Sequence, residues 1–141
     1  MSNEVPDLYD PSEYDRPSVT VDVAIFALVD SDLRILLMQR AERPFSKYWS
    51  LPGTFVSIDE SLDEAAMRAL AAKTGVKDVY TEQLFTFGEP KRDPRMRVIT
   101  VAYFALVPFE SVQATPGVAV SLHLHQSARL GRPTILSHNQ I

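Results

Sequence analysis

The segment from residue 61 to residue 75 constrains the fold most, because it carries a complete set of helix signals. Ser61 and Glu64 have the spacing of a capping box, in which each side chain bonds the other residue's backbone N–H. Gly75 supplies a stop, since glycine readily adopts the left-handed conformation that ends many helices. Between these ends, apolar residues recur at helical spacing: Leu62, Ala65, Ala66, Ala69 and Leu70. The segment therefore predicts one well-defined helix in the middle of the chain.

Strand-like segments surround this helix. Five of them are rich in β-branched and apolar residues, at 18–30, 33–40, 79–87, 97–108 and 117–125. The turn "SD" between the first two predicts an antiparallel hairpin. "TFVSI" predicts a further short strand, and the two prolines of the segment before it predict an irregular connection. Several strands around one strong helix predict a single α/β or α+β domain, which suits a chain of 141 residues.

Composition excludes several classes of protein. The chain has no cysteine, which excludes a disulfide framework, a thiolate nucleophile and a cysteine-based zinc site. A formal net charge of −4 argues against a general affinity for nucleic acid. No apolar stretch approaches the roughly 18 residues that span a bilayer, and the polar start is unlike a signal peptide. We expect a cytoplasmic protein with no membrane partner.

Charge divides the chain into three parts: an acidic arm at 1–17, a domain at 18–125 and an atypical tail at 126–141. No Asp or Glu occurs after residue 110, yet all three histidines lie there, namely His123, His125 and His138. Without an acid or cysteine nearby, we interpret the first two as exposed strand residues rather than metal ligands. The change in composition suggests a replaced, frame-shifted or truncated C-terminus, which the other reading frames of the coding DNA would test.

Residues 51–76 resemble the Nudix box, G-x5-E-x7-R-E-U-x-E-E-x-G-U, where U is a bulky apolar residue. Thr54 takes the position of the first glycine, Glu60 that of the first glutamate and Arg68 that of the arginine. The closing positions are filled by Leu70, Gly75 and Val76. The other three glutamate positions hold Ala69, Ala72 and Lys73. The flanking residues also resemble ADP-ribose-type Nudix hydrolases and the effector domains of Nudix-related transcriptional regulators.

The resemblance implies a Nudix fold, an α/β/α sandwich around a mixed sheet. In the family, box carboxylates hold Mg²⁺ or Mn²⁺ against a bound diphosphate. Residues 69, 72 and 73 share one helix face, which here presents two methyl groups and an ammonium that repels a divalent cation. We therefore expect impaired hydrolysis, with Glu60 and Arg68 as the remaining catalytic residues of the box. Glu60 is also a weak metal ligand, for Mg²⁺ or Mn²⁺ if the protein is active and for no metal otherwise.

The resemblance also implies ligand contacts outside the box. Arginine pairs with pyrophosphate through bidentate hydrogen bonds. The expected ligand-binding residues are Arg40, Arg92, Arg95, Arg97 and, as a substitute for the metal cation, Lys73. The alternatives stay open: the loop "GEPKRDPRM" is a solvated hairpin connection, Arg40 is a surface charge at a strand end, and Lys73 neutralises Glu60 or points to solvent.

Two functions are compatible with these residues. The first is a domain that binds a nucleoside-diphosphate-linked metabolite such as ADP-ribose and hydrolyses it weakly or not at all. The second is a divalent-metal-dependent Nudix hydrolase that uses Glu60 and acids not identified in the sequence. The expected partner is a small nucleotide-sugar ligand, and a homodimer is an open alternative. DNA is not an expected partner, since no segment the size of a winged-helix module follows the domain.

Overall fold

The computed structural model describes residues 10–39 and 48–112, together with the backbone of 118–123. These residues form strands and a single α-helix in this order: β1 (Ser18–Val29), β2 (Asp32–Gln39), β3 (Trp49–Ser50), β4 (Gly53–Phe55), α1 (Leu62–Thr74), β5 (Thr81–Phe87), β6 (Val98–Leu106) and β7 (Val118–His123). Short 3₁₀ turns occur at Pro11–Glu13 and Phe109–Ser111. Within the described residues, no helix is long and apolar enough to cross a membrane.

All strands join one mixed sheet. The path through it is β3-β2-β1-β6-β5, with β4 also paired to β1 and β7 paired to β2. β1 and β6 run parallel, whereas the other pairs are antiparallel. The predicted fold class is therefore confirmed as α+β with a mixed sheet.

The first hairpin is antiparallel as the sequence predicts, but its turn lies one residue before the predicted "SD" at Ser31 and Asp32. Val29 lies opposite Asp32, which leaves Asp30 and Ser31 as a two-residue loop. Both loop residues have positive φ, at 49° and 67°, as a type I′ turn requires. The segment before β4 differs from its prediction, because Trp49 and Ser50 pair with Gln39 and Met38 instead of forming a wholly irregular connection. A strand of two residues is too short to leave a periodic pattern in the sequence.

Helix α1 has the ends that its sequence predicts. The Ser61 hydroxyl accepts from the Glu64 N–H at 3.1 Å, and the Ser61 N–H donates to the Glu64 carboxylate at 2.7 Å. At the other end Gly75 has φ 71° and donates its N–H to the carbonyl of Ala71. The buried apolar residues of the helix join one core with odd-numbered side chains of β1 and β6. They are Ala65, Ala66, Ala69 and Leu70, and they pack with Val21, Val23, Ile25, Val101 and Tyr103. The helix thus covers one face of the sheet.

Tyr103 fixes the start of this helix on the sheet. Its ring is buried, and its hydroxyl donates to the Asp63 carboxylate at 2.7 Å while accepting from the Gln83 amide at 3.1 Å. One side chain from β6 therefore connects the first turn of α1 with β5. This contact sets the position of the helix face that carries residues 69, 72 and 73.

Candidate functional site

Two loops meet at the first half of β1. Residues Thr20 to Asp22 pair with β4 along one edge and with β6 along the other. The Val56 N–H donates to the carbonyl of Val19 at 2.9 Å, and the Ser18 N–H donates to the carbonyl of Arg97 at 3.0 Å. The box loop, residues 56–61 between β4 and α1, therefore lies at the same end of the sheet as the arginine loop, residues 88–97 between β5 and β6.

Arg68 and Glu60 hold the box loop against helix α1. The Arg68 guanidinium donates to both carboxylate oxygens of Glu60, with Nη2 to Oε1 at 2.6 Å and Nε to Oε2 at 3.2 Å. It also donates to the Thr54 hydroxyl at 3.0 Å and to the Phe55 carbonyl at 2.9 Å. The Ser57 N–H adds a further bond to Oε1 of Glu60 at 2.8 Å. Both oxygens of Glu60 are thus occupied by protein donors, so a metal ion would have to compete with Arg68 for them.

These bonds stabilise the charged form of Glu60. The hydrogen bonds from Arg68 and then from the Ser57 N–H lower the pKa of the Glu60 carboxyl to about 2. Because the folded-state pKa lies below the ordinary value near 4.5, the stability that Glu60 contributes is fully present above about pH 4.5. It is lost as the pH falls from there toward 2.

A Glu60→Gln variant is expected to be less stable than the wild type at pH 7, with a gap in melting temperature that narrows between pH 4.5 and pH 2. Thermal denaturation across this pH range measures the gap. Asp59→Asn is the matched control, since it removes an exposed neighbouring carboxylate outside the Arg68 contact. A gap of constant size down to pH 2 would contradict the assigned bonding of Glu60.

The metal-ligand positions of the box hold no oxygen ligand. Ala69 is 5 % exposed and packs in the core, while Ala72 is exposed and Lys73 is half-buried. In the described part of the chain, Lys73 makes no ion pair and no group of three acids or histidines is arranged to hold a metal ion. Mg²⁺ and Mn²⁺ require oxygen ligands, so two methyl groups and an ammonium do not fit such an ion.

The three arginines of the arginine loop have different environments. Arg92 is 5 % exposed and donates through Nη2 to the Val98 carbonyl at 2.9 Å. Arg95 forms a bidentate ion pair with Asp93, in which Nε donates to Oδ1 at 3.0 Å and Nη2 donates to Oδ2 at 2.7 Å. These bonds lower the pKa of the Asp93 carboxyl. Arg97 is exposed and donates through Nη1 to the Gly88 carbonyl at 2.6 Å. Arg95 and Arg97 therefore present guanidinium edges to solvent, whereas Arg92 is directed into the protein.

Several predicted residues lie away from the end of the sheet where the two loops meet, or outside the described residues. Arg40, His125 and His138 lie outside the described residues. The backbone of His123 pairs with Arg34 at the edge of the sheet. An apolar cleft of about 340 Å³ lies at the opposite end of β1 and β6 and carries none of the predicted site residues; its lining is Leu28, Leu106, Val107, Pro108, Phe109 and Glu110.

Asp22 is the residue near the site that was not predicted from the sequence. It is fully buried in β1, where its carboxylate accepts from the Thr100 hydroxyl at 2.8 Å. The available signal was a lone acid inside the apolar run "VTVDVAIF". A charged residue is almost never fully buried unless it is paired.

The scaffold of the site matches a known family. The model of the Nudix domain matches residues 19–129, which is most of the chain. The chain belongs to the Nudix family. The resemblance of residues 51–76 to the Nudix box is thereby confirmed at the level of the family.

Individual Nudix proteins give the comparison more detail. The ADPR responsive transcriptional repressor NtrR of Acinetobacter baylyi is 46% identical over 107 residues, which are 74% of this chain and 43% of the relative. An ADP-ribose pyrophosphatase of Methanocaldococcus jannaschii is 34% identical over 90 residues, 64% of this chain and 51% of the relative. The chain thus spans about half or less of the length of these two relatives.

A solved Nudix structure covers a larger share of both chains. It is the Nudix domain of Shewanella oneidensis NrtR complexed with ADP ribose, which superimposes with a TM-score of 0.71 at 37% identity. The superposition covers 89% of this chain and 84% of that one.

Proposed function

We propose that this Nudix domain binds a nucleoside-diphosphate-linked metabolite of the ADP-ribose type and hydrolyses it weakly or not at all. One observation carries the proposal. The contacts that build the box are retained, since Arg68 bonds Glu60, Thr54 and Phe55, while the positions for metal ligands hold Ala69, Ala72 and Lys73. The frame of the site is therefore kept and its metal ligands are replaced.

The relatives support the choice of ligand. One similar structure is a Nudix domain complexed with ADP ribose, and one relative is named as a repressor responsive to ADPR. In this chain, the arginine loop brings Arg95 and Arg97 to the same end of the sheet as the box loop. Guanidinium groups match the paired oxygens of a pyrophosphate, and Lys73 supplies a positive charge on the helix face where the family holds its metal.

The direct test is to measure binding and turnover on the same sample. With ADP-ribose at about 100 times its dissociation constant, binding adds about 2.7 kcal/mol to the free energy of unfolding, which raises the melting temperature by several degrees. We expect this shift both in EDTA and in Mg²⁺ or Mn²⁺, with little or no release of AMP. Metal-dependent release of AMP that disappears in Glu60→Gln would contradict the proposal, and so would the absence of any ligand-induced shift.

Arg97 is the clearest ligand contact to test, because its guanidinium is exposed and its bond to Gly88 uses only one of its nitrogens among the described contacts. Arg97→Gln is expected to weaken ADP-ribose binding about tenfold or more, since a hydrogen bond to a charged group contributes about 1.5–3 kcal/mol. Isothermal titration calorimetry measures the change. Lys77→Gln is the control, because it removes an exposed positive charge just after α1. Equal losses in both variants would indicate only a general effect of charge.

A metal-dependent hydrolase is the second candidate. It is favoured by the similarity to an ADP-ribose pyrophosphatase and by the retention of Glu60 and Arg68. Hydrolases of this family generally use divalent metals, so this function would require Mg²⁺ or Mn²⁺. The turnover assay separates the two candidates. A cytoplasmic location and the absence of DNA binding remain predictions, and a homodimer remains an open alternative. One relative is named as a transcriptional repressor, so the absence of DNA binding needs a test of its own.

A further inference from the structure

A buried carboxylate lies beneath the two loops of the candidate site. Asp22 is fully buried near the centre of β1. The Thr100 hydroxyl, from the neighbouring strand β6, donates to Oδ2 of Asp22 at 2.8 Å and lies 3.2 Å from the carbonyl of Thr20. A buried charge destabilises a protein strongly unless an opposite charge and hydrogen bonds compensate it. Asp22 therefore requires a cationic partner inside the fold.

Arg92 is a buried cation that interacts with it electrostatically. Its side chain leaves the arginine loop and turns inward, where Nη2 bonds the Val98 carbonyl two residues before Thr100. Burial lowers the pKa of the Arg92 guanidinium, while the negative charge of Asp22, followed by that of Asp93, raises it. The guanidinium and the carboxylate thus bond positions of β6 that are two residues apart, Val98 and Thr100.

The carboxylate of Asp22 also faces the strand that leads to the box loop. Asp22 lies opposite Gly53 in the pairing of β1 with β4. A Cβ atom added at Gly53 would lie 2.3 Å from Oδ1 of Asp22, so the backbone of β4 passes directly over the carboxylate. The next residue is Thr54, whose hydroxyl accepts a bond from Arg68. The Asp22 side chain therefore contacts strand β6, which follows the arginine loop, and lies against strand β4, which precedes the box loop.

We propose that Asp22 and Arg92 are positioning residues, a buried pair that fixes the arginine loop relative to the box loop. Arg92 then acts from inside the protein and does not contact the ligand. Its role is to hold the backbone from which Arg95 and Arg97 reach the ligand. The part of this inference that concerns ligand affinity rests on the proposed function, whereas the part that concerns loop order does not.

A double-mutant cycle tests the pair. The variants are Asp22→Asn, Arg92→Met and both together, compared with the wild type by melting temperature. Each single variant leaves one charge buried without its partner, so each is expected to lower the melting temperature by about 10 °C. The double variant leaves no such charge and is expected to recover at least about half of that loss. A double variant no more stable than the single ones, including one that fails to fold, would overturn the proposal.

Two further measurements separate positioning from stability. Hydrogen exchange reports the order of residues 89–97 without ligand, and calorimetry reports the affinity for ADP-ribose. In the double variant we expect faster exchange in this loop and affinity at least about tenfold lower, even though its melting temperature recovers. Wild-type exchange and affinity in the double variant would show that the pair stabilises the fold without positioning the loop.

The controls keep the two proposals apart. Asp78→Asn is the matched control, because Asp78 is exposed with φ 57° and asparagine tolerates that conformation. It is expected to leave all three measurements unchanged. If the wild type itself fails to bind ADP-ribose, the proposed function is wrong. The melting temperatures and exchange rates then still decide whether Asp22 and Arg92 position the loop.

Discussion

Replacing Ala69, Ala72 and Lys73 together with glutamate is expected to raise metal-dependent release of AMP from ADP-ribose by at least about 100-fold. The change puts three carboxylates at positions i, i+3 and i+4 of α1, the spacing that the Nudix box uses for its metal ligands. A metal held there would neutralise phosphate charge and activate water, which supplies several kcal/mol of stabilisation to the transition state. A time course with Mg²⁺ or Mn²⁺, and with EDTA as the metal-free condition, measures the gain.

The control for this restoration is Ala71→Glu. It adds a carboxylate to the same helix between two of the replaced positions, but on a different face. We expect no gain in turnover from it. If the triple variant folds and binds ADP-ribose but releases no more AMP than the wild type, the site lacks a further catalytic group outside these three positions. That outcome would contradict the assignment of the defect to the box.

Replacing Gly53 with alanine is expected to lower the free energy of unfolding by about 3 kcal/mol. The added methyl group would lie 2.3 Å from Oδ1 of Asp22 and 2.8 Å from the carbonyl oxygen of Val21. Neither atom can move away cheaply, since Asp22 is buried and bonded to Thr100, and the carbonyl belongs to the central strand. Urea denaturation measures the loss, and reduced ADP-ribose affinity should accompany it because β4 leads into the box loop.

Gly88 provides a matched control for this substitution. A Cβ atom at Gly88 meets no other atom within 4 Å. Gly88→Ala is therefore expected to change the free energy of unfolding by less than about 1 kcal/mol, and it removes some conformational entropy from the unfolded chain. Equal destabilisation by the two substitutions would mean that the contact between Gly53 and Asp22 does not limit the packing of β4.

The parts of the fold that were predictable from the sequence are those with local physical causes. The cap at Ser61 and Glu64 and the stop at Gly75 depend on residues within one helix, and all are present in the structure. The antiparallel hairpin of β1 and β2 was likewise predictable from neighbouring residues, although its turn lies at Asp30 and Ser31, one residue before the predicted position. Recognition of the Nudix box needed only the spacing of residues along the chain.

The arrangement of the arginine loop depends on contacts distant in sequence and was not predictable in this way. Arg92, Arg95 and Arg97 look equivalent in the sequence, since all three are basic residues in or beside one polar loop. In the structure Arg92 is buried and donates to the Val98 carbonyl, and we propose that Asp22, seventy residues earlier, is the charge that holds it there. Arg95 is held by the neighbouring Asp93, and Arg97 stays exposed. The sequence contains both charges but not their proximity.

The parallel pairing of β1 with β6 has a consequence for the order of folding. Thr20 and Thr100, bonded across this pair, are separated by 80 positions along the chain. Closing so long a loop costs entropy that must be recovered by contacts formed only afterwards, so such pairings form slowly. The helix and the first hairpin can form early from neighbouring residues. In a chain still being synthesised, the box loop and the arginine loop therefore do not meet until β6 has left the ribosome and reached β1.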